Sequence, residues 1–225
     1  MWYDDNDKFP RANENIFIDN GIDFDFNPQE INEILQQIEI DTRAACHQLL
    51  RALRIGIDHN TEMTAVRMAK MYIHEVFKGR YEAMPSVTTF PNHNNIDQLY
   101  TIGPVTIRST CSHHFVPILG QAWFGVLPNP QSRVLGLSKF ARLADWVFSR
   151  PQIQEEATDQ LGKLVSGMVK GDGFGLVVKA KHFCTVWRGI KDNEQTMITS
   201  YLEGNLKNDH KAKAEFFELI KAQGF

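Results

Sequence analysis

Two short segments that carry thiol and imidazole groups constrain the fold of this chain more than any other feature. Cys111-Ser112-His113-His114 places one thiol and two imidazoles within four residues, and His182-Phe183-Cys184 adds one of each much later in the sequence. Cysteine and histidine are the side chains that zinc prefers. A fold that brings the two segments together would therefore create a metal site.

The number of ligands decides what such a site does. Zinc held by two Cys and one His, with the fourth position left to water, is a catalytic arrangement, and Cys111, His114 and Cys184 form such a set. Zinc would lower the pKa of the bound water toward about 7, and His113 and His182 would be left for proton transfer. The alternative is a structural zinc closed by both histidines and both cysteines, which the spacing leaves open.

A strand is expected to present the second segment. The residues from Gly175 to Arg188 favour a β-strand, in which side chains alternate between the two faces. His182, Cys184 and Arg188 would then project to one side, so that a proton carrier, a ligand and an anion binder share a surface. The competing interpretation treats the cysteines as buried apolar residues and the histidines as ordinary core or surface residues.

Two other segments indicate recognition of an anion and of a base. Gly136-Leu137-Ser138-Lys139, followed by Arg142, places a hydroxyl and two cations at a helix N-terminus, which favours phosphate. A capped helix with a solvated basic first turn fits equally well. Gln154-Glu155 begins the next helix, where an amide beside a carboxylate can pair with the donor edge of guanine, or can simply be exposed.

The order of the predicted elements is that of an α+β protein, with strands, two helices, and further strands. Asn27-Pro28-Gln29-Glu30 predicts the start of a long helix. The other predicted elements are a helix from Thr61 to Gly79, strands 97–109 and 121–127 on either side of Cys111 to His114, a helix capped by Ser138, a helix 152–170, a strand 195–202 and a helix 212–222.

Composition excludes several classes of protein. The net charge of −3 and the pI of about 6.2 give no electrostatic attraction to nucleic acid or to an anionic membrane. No apolar run approaches the roughly 20 residues of a membrane span, and the acidic start is unlike a signal peptide. Three cysteines without close pairing suit a reducing compartment, so we expect a cytoplasmic protein.

Taken together, the motifs resemble GTP cyclohydrolase I of the zinc-dependent type, over roughly residues 60 to 220. The segments that carry the resemblance are Ser109 to Phe115, Gly136 to Lys139, Arg150 to Glu155, and His182 to Cys184 with Arg188-Gly189. The resemblance implies that zinc is held by Cys111, His114 and Cys184, and that water attacks C8 of the purine of GTP. His113 and His182 would move protons, formate would leave, and the rearranged ribose would close the ring of 7,8-dihydroneopterin triphosphate.

The resemblance also assigns the remaining contacts and the fold. Gln154 and Glu155 would bind guanine, and the triphosphate would be bound by Ser138, Lys139, Arg142 and Arg188. Arg67 and Lys70 match basic positions that come from a neighbouring subunit. The family has the tunnelling fold, an antiparallel sheet with two helices inserted between strand pairs and preceded by N-terminal helices, and it forms toroidal homodecamers of two pentamers. The implied organisation is an arm over residues 1–27, disordered or docked on a partner subunit, a helical region over 28–85, and a catalytic domain over 86–225.

Several positions depart from the family pattern and indicate a divergent member. Ser112 stands where the family has Glu, beside the expected metal ligands, where a carboxylate would orient a ligand or the base. Despite this departure, the chain is expected to be a GTP cyclohydrolase I. Two alternatives are a paralogue that acts on GDP, GMP or dGTP, and a zinc-containing nucleotide-binding scaffold without catalytic activity.

Overall fold

The computed structural model describes residues 27–225, so the predicted arm, apart from Asn27, lies outside the described residues. These residues form two compact units, 27–75 with 80–83, and 76–79 with 84–225. The domain boundary expected after residue 85 stays a prediction. No helix in the described range is long and apolar enough to cross a bilayer.

Capping fixes the first helix, α1 (Pro28–Ala52), where the sequence predicts it. The side-chain oxygen of Asn27 accepts hydrogen bonds from the backbone N–H groups of Gln29 and Glu30, and the Glu30 carboxylate accepts one from the Asn27 N–H. This capping box satisfies N–H groups that have no partner within the helix. The predicted helix is confirmed.

The second predicted helix is divided into three pieces. They are α2 (Thr64–Met71), a π-helical turn (Tyr72–Val76) and α3 (Lys78–Tyr81). The start is later than the predicted Thr61 because the Asp58 carboxylate accepts hydrogen bonds from the backbone of Asn60 and from Thr61, which lowers the pKa of Asp58 and holds a turn. The chain therefore becomes helical only after this turn.

The second unit is built on a five-stranded sheet with the order β5-β2-β3-β6-β7. Its strands are β2 (Tyr100–Cys111), β3 (Pro117–Leu127), β5 (Pro151–Gln152), β6 (Gly173–His182) and β7 (Met197–Gly204). All neighbours are antiparallel except β2 and β5. A separate antiparallel pair consists of β1 (Thr89–Pro91) and β4 (Arg133–Leu135).

Helices cover both faces of this sheet. In chain order they are α4 (Leu137–Phe148), α5 (Gln154–Val169), α6 (Phe183–Val186), α7 (Asn205–Asn208) and α8 (His210–Ala222). Strand alternation directs the buried side chains of β3 to opposite faces. Trp123 packs in the cluster that contains Phe216, whereas the Phe124 ring lies 5.1 Å from that of Phe140 on α4. Because α4 and α5 lie between the pairs β2–β3 and β6–β7, the predicted α+β tunnelling fold is confirmed.

Two predicted helix starts are wrong by a few residues. Ser138 does not cap α4, because Gly136 is the N-cap and its carbonyl accepts the first hydrogen bond, from the Lys139 N–H at 2.8 Å. The helix α5 begins at Gln154 because Gln152 pairs with Cys111 as part of β5.

The strand that was expected to continue to Arg188 ends at His182. The Thr185 hydroxyl donates to the His182 carbonyl at 3.0 Å, and the Trp187 N–H donates to the Phe183 carbonyl at 3.0 Å, which closes the helical turn α6. Cys184 therefore lies in this turn. The prediction that strand alternation aligns His182, Cys184 and Arg188 is wrong, because alternation does not continue beyond the last residue of a strand.

Candidate active site

The two thiols predicted to bind a metal lie together. Cys111 is the last residue of β2 and is only 4% exposed, and Cys184 in α6 packs against the same buried cluster as Cys111. Burial raises the pKa of Cys184, and so do the charge and the hydrogen bond of the neighbouring Cys111 thiol. The ends of β2 and β6 are brought close by β3, which lies between them and pairs Ile118 with His182.

A tight loop carries the two adjacent histidines. The Phe115 N–H donates to the Cys111 carbonyl at 2.9 Å, and the Cys111 N–H donates to the Val116 carbonyl at 2.9 Å. Phe115 adopts a left-handed conformation with φ of 53°, which is costly for a residue with a bulky side chain. The loop places the exposed His113 with its Nδ1 3.6 Å from the Cys111 sulfur.

The third predicted metal ligand, His114, is paired with Arg188. Its Nε2 lies 3.2 Å from a terminal guanidinium nitrogen of Arg188. A guanidinium only donates hydrogen bonds, so Nε2 is the acceptor and carries a lone pair. A metal ion binds an imidazole through such a lone pair.

The residues present fit zinc in their chemistry. Among residues 27–225, no three Cys, His, Asp or Glu side chains are arranged so as to hold an ion. Two adjacent thiols and one imidazole with a lone pair nevertheless match the donors that zinc takes. The two cysteines pack in one buried cluster, whereas the lone pair of His114 faces Arg188.

His182, the second predicted proton carrier, is held by a neighbouring amide. Its Nε2 lies 2.8 Å from the side-chain oxygen of Gln154. Burial lowers the pKa of His182, and the charge of Glu155 acts in the opposite direction. The neutral imidazole is thus favoured near neutral pH, which suits a group that accepts a proton.

Gln154 and Glu155, which were predicted together as the guanine clamp, have different environments. Gln154 is 1% exposed, and its amide nitrogen lies 3.2 Å from the Val178 carbonyl, 3.3 Å from the Met197 carbonyl and 3.0 Å from the Thr199 hydroxyl. Glu155 is exposed. The guanine contact of each stays a prediction. Thr199 was missed by the sequence analysis, although alternation along β7 places it on the same face as Met197.

The predicted phosphate-binding residues are distributed over several elements. Ser138 and Arg142 are exposed in the first turns of α4, and the Lys139 ammonium donates to the Ser86 carbonyl at 3.3 Å. Among the described residues, only Arg188 of this predicted set is hydrogen bonded to the thiol and imidazole cluster. Arg67 and Lys70 are exposed on α2. The predicted roles of all these residues stay predictions.

A cavity of about 310 Å³ opens beside His182 and Cys184. Its lining consists of His182, Cys184, Thr185, Gln195, Thr196 and Met197. Its size is that of a small-molecule site, and the lining combines hydroxyl and amide groups with apolar surface and includes no Lys, Arg, Asp or Glu. Such a lining suits an uncharged ring or sugar better than a phosphate. Thr185, Gln195 and Thr196 were not anticipated from the sequence, where no motif marks them.

The fold and this site together define the class. The sheet has two helices inserted between its strand pairs, and thiols and imidazoles lie together at its strand ends. This combination is typical of a tunnelling-fold enzyme. The family model for GTP cyclohydrolase I matches residues 42–221. The chain belongs to the GTP cyclohydrolase I family.

Individual relatives agree with this assignment over most of the chain. GTP cyclohydrolase 1 of Haemophilus ducreyi is 35% identical over 83% of this chain and 87% of its own length. The protein of the same name from Pasteurella multocida is 34% identical over 85% of this chain and 81% of its own. Among solved structures, the apo form of the archaeosine synthase QueF-Like is similar at 16% identity and a TM-score of 0.39, covering 47% of this chain and 93% of that one.

Proposed function

We propose that this chain is a GTP cyclohydrolase I, which opens the imidazole ring of GTP with water and releases formate to form 7,8-dihydroneopterin triphosphate. The observation that carries the proposal is the packing of Cys111 and Cys184 in one buried cluster, with His182 and the His113–His114 pair at the same strand ends. Family membership indicates GTP as the substrate, because the relatives are named GTP cyclohydrolase 1.

The metal proposed for the site is zinc, held by Cys111, Cys184 and His114. Zinc would supply a water of lowered pKa, which attacks C8 of the purine. The Nε2 lone pair of His114, which accepts a hydrogen bond from Arg188 in this structure, would bind the ion in place of that hydrogen bond. With three protein groups as ligands, one coordination position would be left for water.

Two imidazoles are proposed to move protons on the substrate. His113 lies beside the Cys111 sulfur, and His182 lines the cavity together with Cys184. A purine placed in this cavity would lie next to both a metal ligand and a proton carrier. The exposed Glu155 carboxylate, at the start of α5, is proposed to accept the donors of guanine.

The triphosphate is proposed to lie outside this uncharged cavity, against the basic residues. Ser138, Lys139 and Arg142 stand at the N-terminus of α4, where backbone N–H groups and the helix dipole favour anions, and Arg188 extends the set to the imidazoles. Arg67 and Lys70 are proposed to reach a neighbouring subunit in a homodecamer of two pentamers. We propose a cytoplasmic enzyme, because three cysteines without close pairing suit a reducing compartment. The net charge of −3 gives no attraction to nucleic acid or to an anionic membrane.

A second candidate is a paralogue specialised for another guanine nucleotide. The observation that favours it is Ser112, a small neutral residue that stands where the family has Glu, next to Cys111 and with its N–H donating to the Gln152 carbonyl at 3.3 Å. Without the carboxylate, the orientation of the ligands or of the base would change.

The test is turnover of a nucleotide panel by the zinc-loaded protein. GTP, dGTP, GDP and GMP are incubated separately, and formate and the fluorescent pterin that appears after oxidation are both measured. The proposal predicts the highest kcat/KM with GTP. A clear preference for another member of the panel supports the paralogue, whereas nucleotide binding without any formate supports a scaffold.

A further inference from the structure

We propose that Gln154 is a positioning residue, which fixes the ring nitrogen at which His182 accepts a proton. The inference rests on the proposed function, in which His182 transfers protons. It assigns to Gln154 a role other than the contact with guanine that family resemblance implies. The argument starts from the orientation of a buried amide.

The partners of Gln154 leave only one orientation for its amide. The end assigned as nitrogen faces the carbonyl oxygens of Val178 and Met197, at 3.2 and 3.3 Å. Carbonyl oxygens only accept hydrogen bonds, so an amide oxygen in this place would be repelled by both. The NH₂ group must point to them, and the side-chain oxygen must point to His182.

This orientation determines the tautomer of His182. The Gln154 oxygen, 2.8 Å from Nε2, can only accept, so Nε2 of His182 carries the hydrogen. In a neutral imidazole the other nitrogen then has the lone pair. Nδ1 is therefore the atom that takes a proton from the substrate or from water. Rotation of the ring would break the bond to Gln154.

A closed circuit of hydrogen bonds holds Gln154 in place. Its NH₂ group donates to the Thr199 hydroxyl at 3.0 Å, and the Thr158 hydroxyl donates to the Gln154 backbone carbonyl at 2.7 Å. The Thr158 and Thr199 hydroxyls are 2.7 Å apart. Since Thr158 uses its hydrogen on the carbonyl, Thr199 must donate to Thr158. Each hydroxyl thus donates once and accepts once, and no alternative arrangement leaves all these groups satisfied.

A positioning role and a guanine contact of Gln154 predict different kinetic effects. In Gln154→Met, a residue of similar length that cannot hydrogen bond, loss of the fixed tautomer is expected to lower kcat for GTP by about 10² to 10³-fold, in the range of general acid–base catalysis. KM is expected to change by less than about threefold, because the substrate contacts remain. A guanine contact would instead raise KM. Gln160→Met is the matched control, since Gln160 is another buried glutamine on the same helix and is not hydrogen bonded to His182.

A second variant leaves Gln154 itself intact. Thr199→Val keeps the shape of the side chain but opens the circuit, so the amide of Gln154 loses one of its three acceptors. It is expected to lower kcat by about tenfold, again with little change in KM. This variant tests the proposal if Gln154→Met does not fold. An unchanged kcat in every one of these variants that folds would overturn it.

The tautomer is measured directly on protein labelled with ¹⁵N-histidine, without any turnover. The resonances of His182 are identified by their loss in His182→Asn. The wild-type protein is expected to show Nε2 as the protonated nitrogen, and Gln154→Met a mixture of the two tautomers. Thr199→Val keeps both carbonyl partners of the Gln154 amide and is expected to retain the wild-type tautomer. A wild-type His182 protonated at Nδ1 would overturn the inference. If the wild-type protein shows the expected tautomer but no turnover of GTP, the proposed function fails while this inference stands.

Discussion

Replacement of Cys111 or Cys184 by serine is expected to remove both zinc and activity. Each substitution removes one of the two thiols that pack in the same buried cluster, and a serine hydroxyl does not replace a thiolate at a zinc site. Turnover of GTP is expected to fall by about 10³-fold or more, because the water loses the ion that lowers its pKa. Zinc content, measured by elemental analysis, and formate release are determined on the same samples.

Cys46→Ser provides the matched control for these variants. Cys46 is also a buried thiol, 6% exposed, but it packs with Leu50 and Ala65 in the first unit. It is expected to lower stability without lowering the zinc content of the folded protein, since it belongs to no donor cluster. If Cys111→Ser or Cys184→Ser retains a full equivalent of zinc and wild-type turnover, the assigned ligand set is wrong.

Substitution of His113 or His182 by alanine is expected to lower kcat without loss of bound zinc. Each variant should lose about 10² to 10⁴-fold in kcat while zinc content stays at the wild-type level. The reason is that His113 and His182 are proposed to act on protons of the substrate, whereas His114 is proposed to bind the ion. Steady-state kinetics with GTP and a zinc determination on the same preparation test this.

Kinetics and zinc content of these histidine variants also distinguish a catalytic zinc site from a closed structural one. If His113 were one of four zinc ligands, His113→Ala would lose metal together with activity. If the protein were a scaffold, neither variant would change a turnover that is already absent. His93→Ala, an exposed histidine elsewhere in the second unit, is expected to leave kcat unchanged.

The order of the helices and strands and the candidate metal-binding residues could be predicted from the sequence, because local patterns reveal them. Helical periodicity and the capping residues Asn27 and Glu30 locate α1 to within one or two residues. The two predicted strands around Cys111–His114 also exist, and the loop between them carries the motif. The thiol and imidazole residues stand out in the sequence because few other roles gather them so closely.

The sequence analysis did not anticipate the end of β6 or the different environments of Gln154 and Glu155. The end of β6 at His182 is set by side-chain and backbone hydrogen bonds in the following turn, and no break in residue type marks it. Gln154 and Glu155 look like a pair in the sequence, yet adjacent helical residues point about 100° apart. One is therefore buried against β6 and β7, and the other is exposed.

The most direct test of the account is the coordination of zinc, measured by X-ray absorption at the zinc K-edge of the loaded protein. The account predicts two sulfur ligands at about 2.3 Å, one imidazole, and one oxygen at about 2.0 Å from a water molecule. Serine at position 111 or 184 should remove one sulfur from the spectrum. Two imidazoles beside two sulfurs, with no oxygen, would describe a closed site and contradict the hydrolytic mechanism.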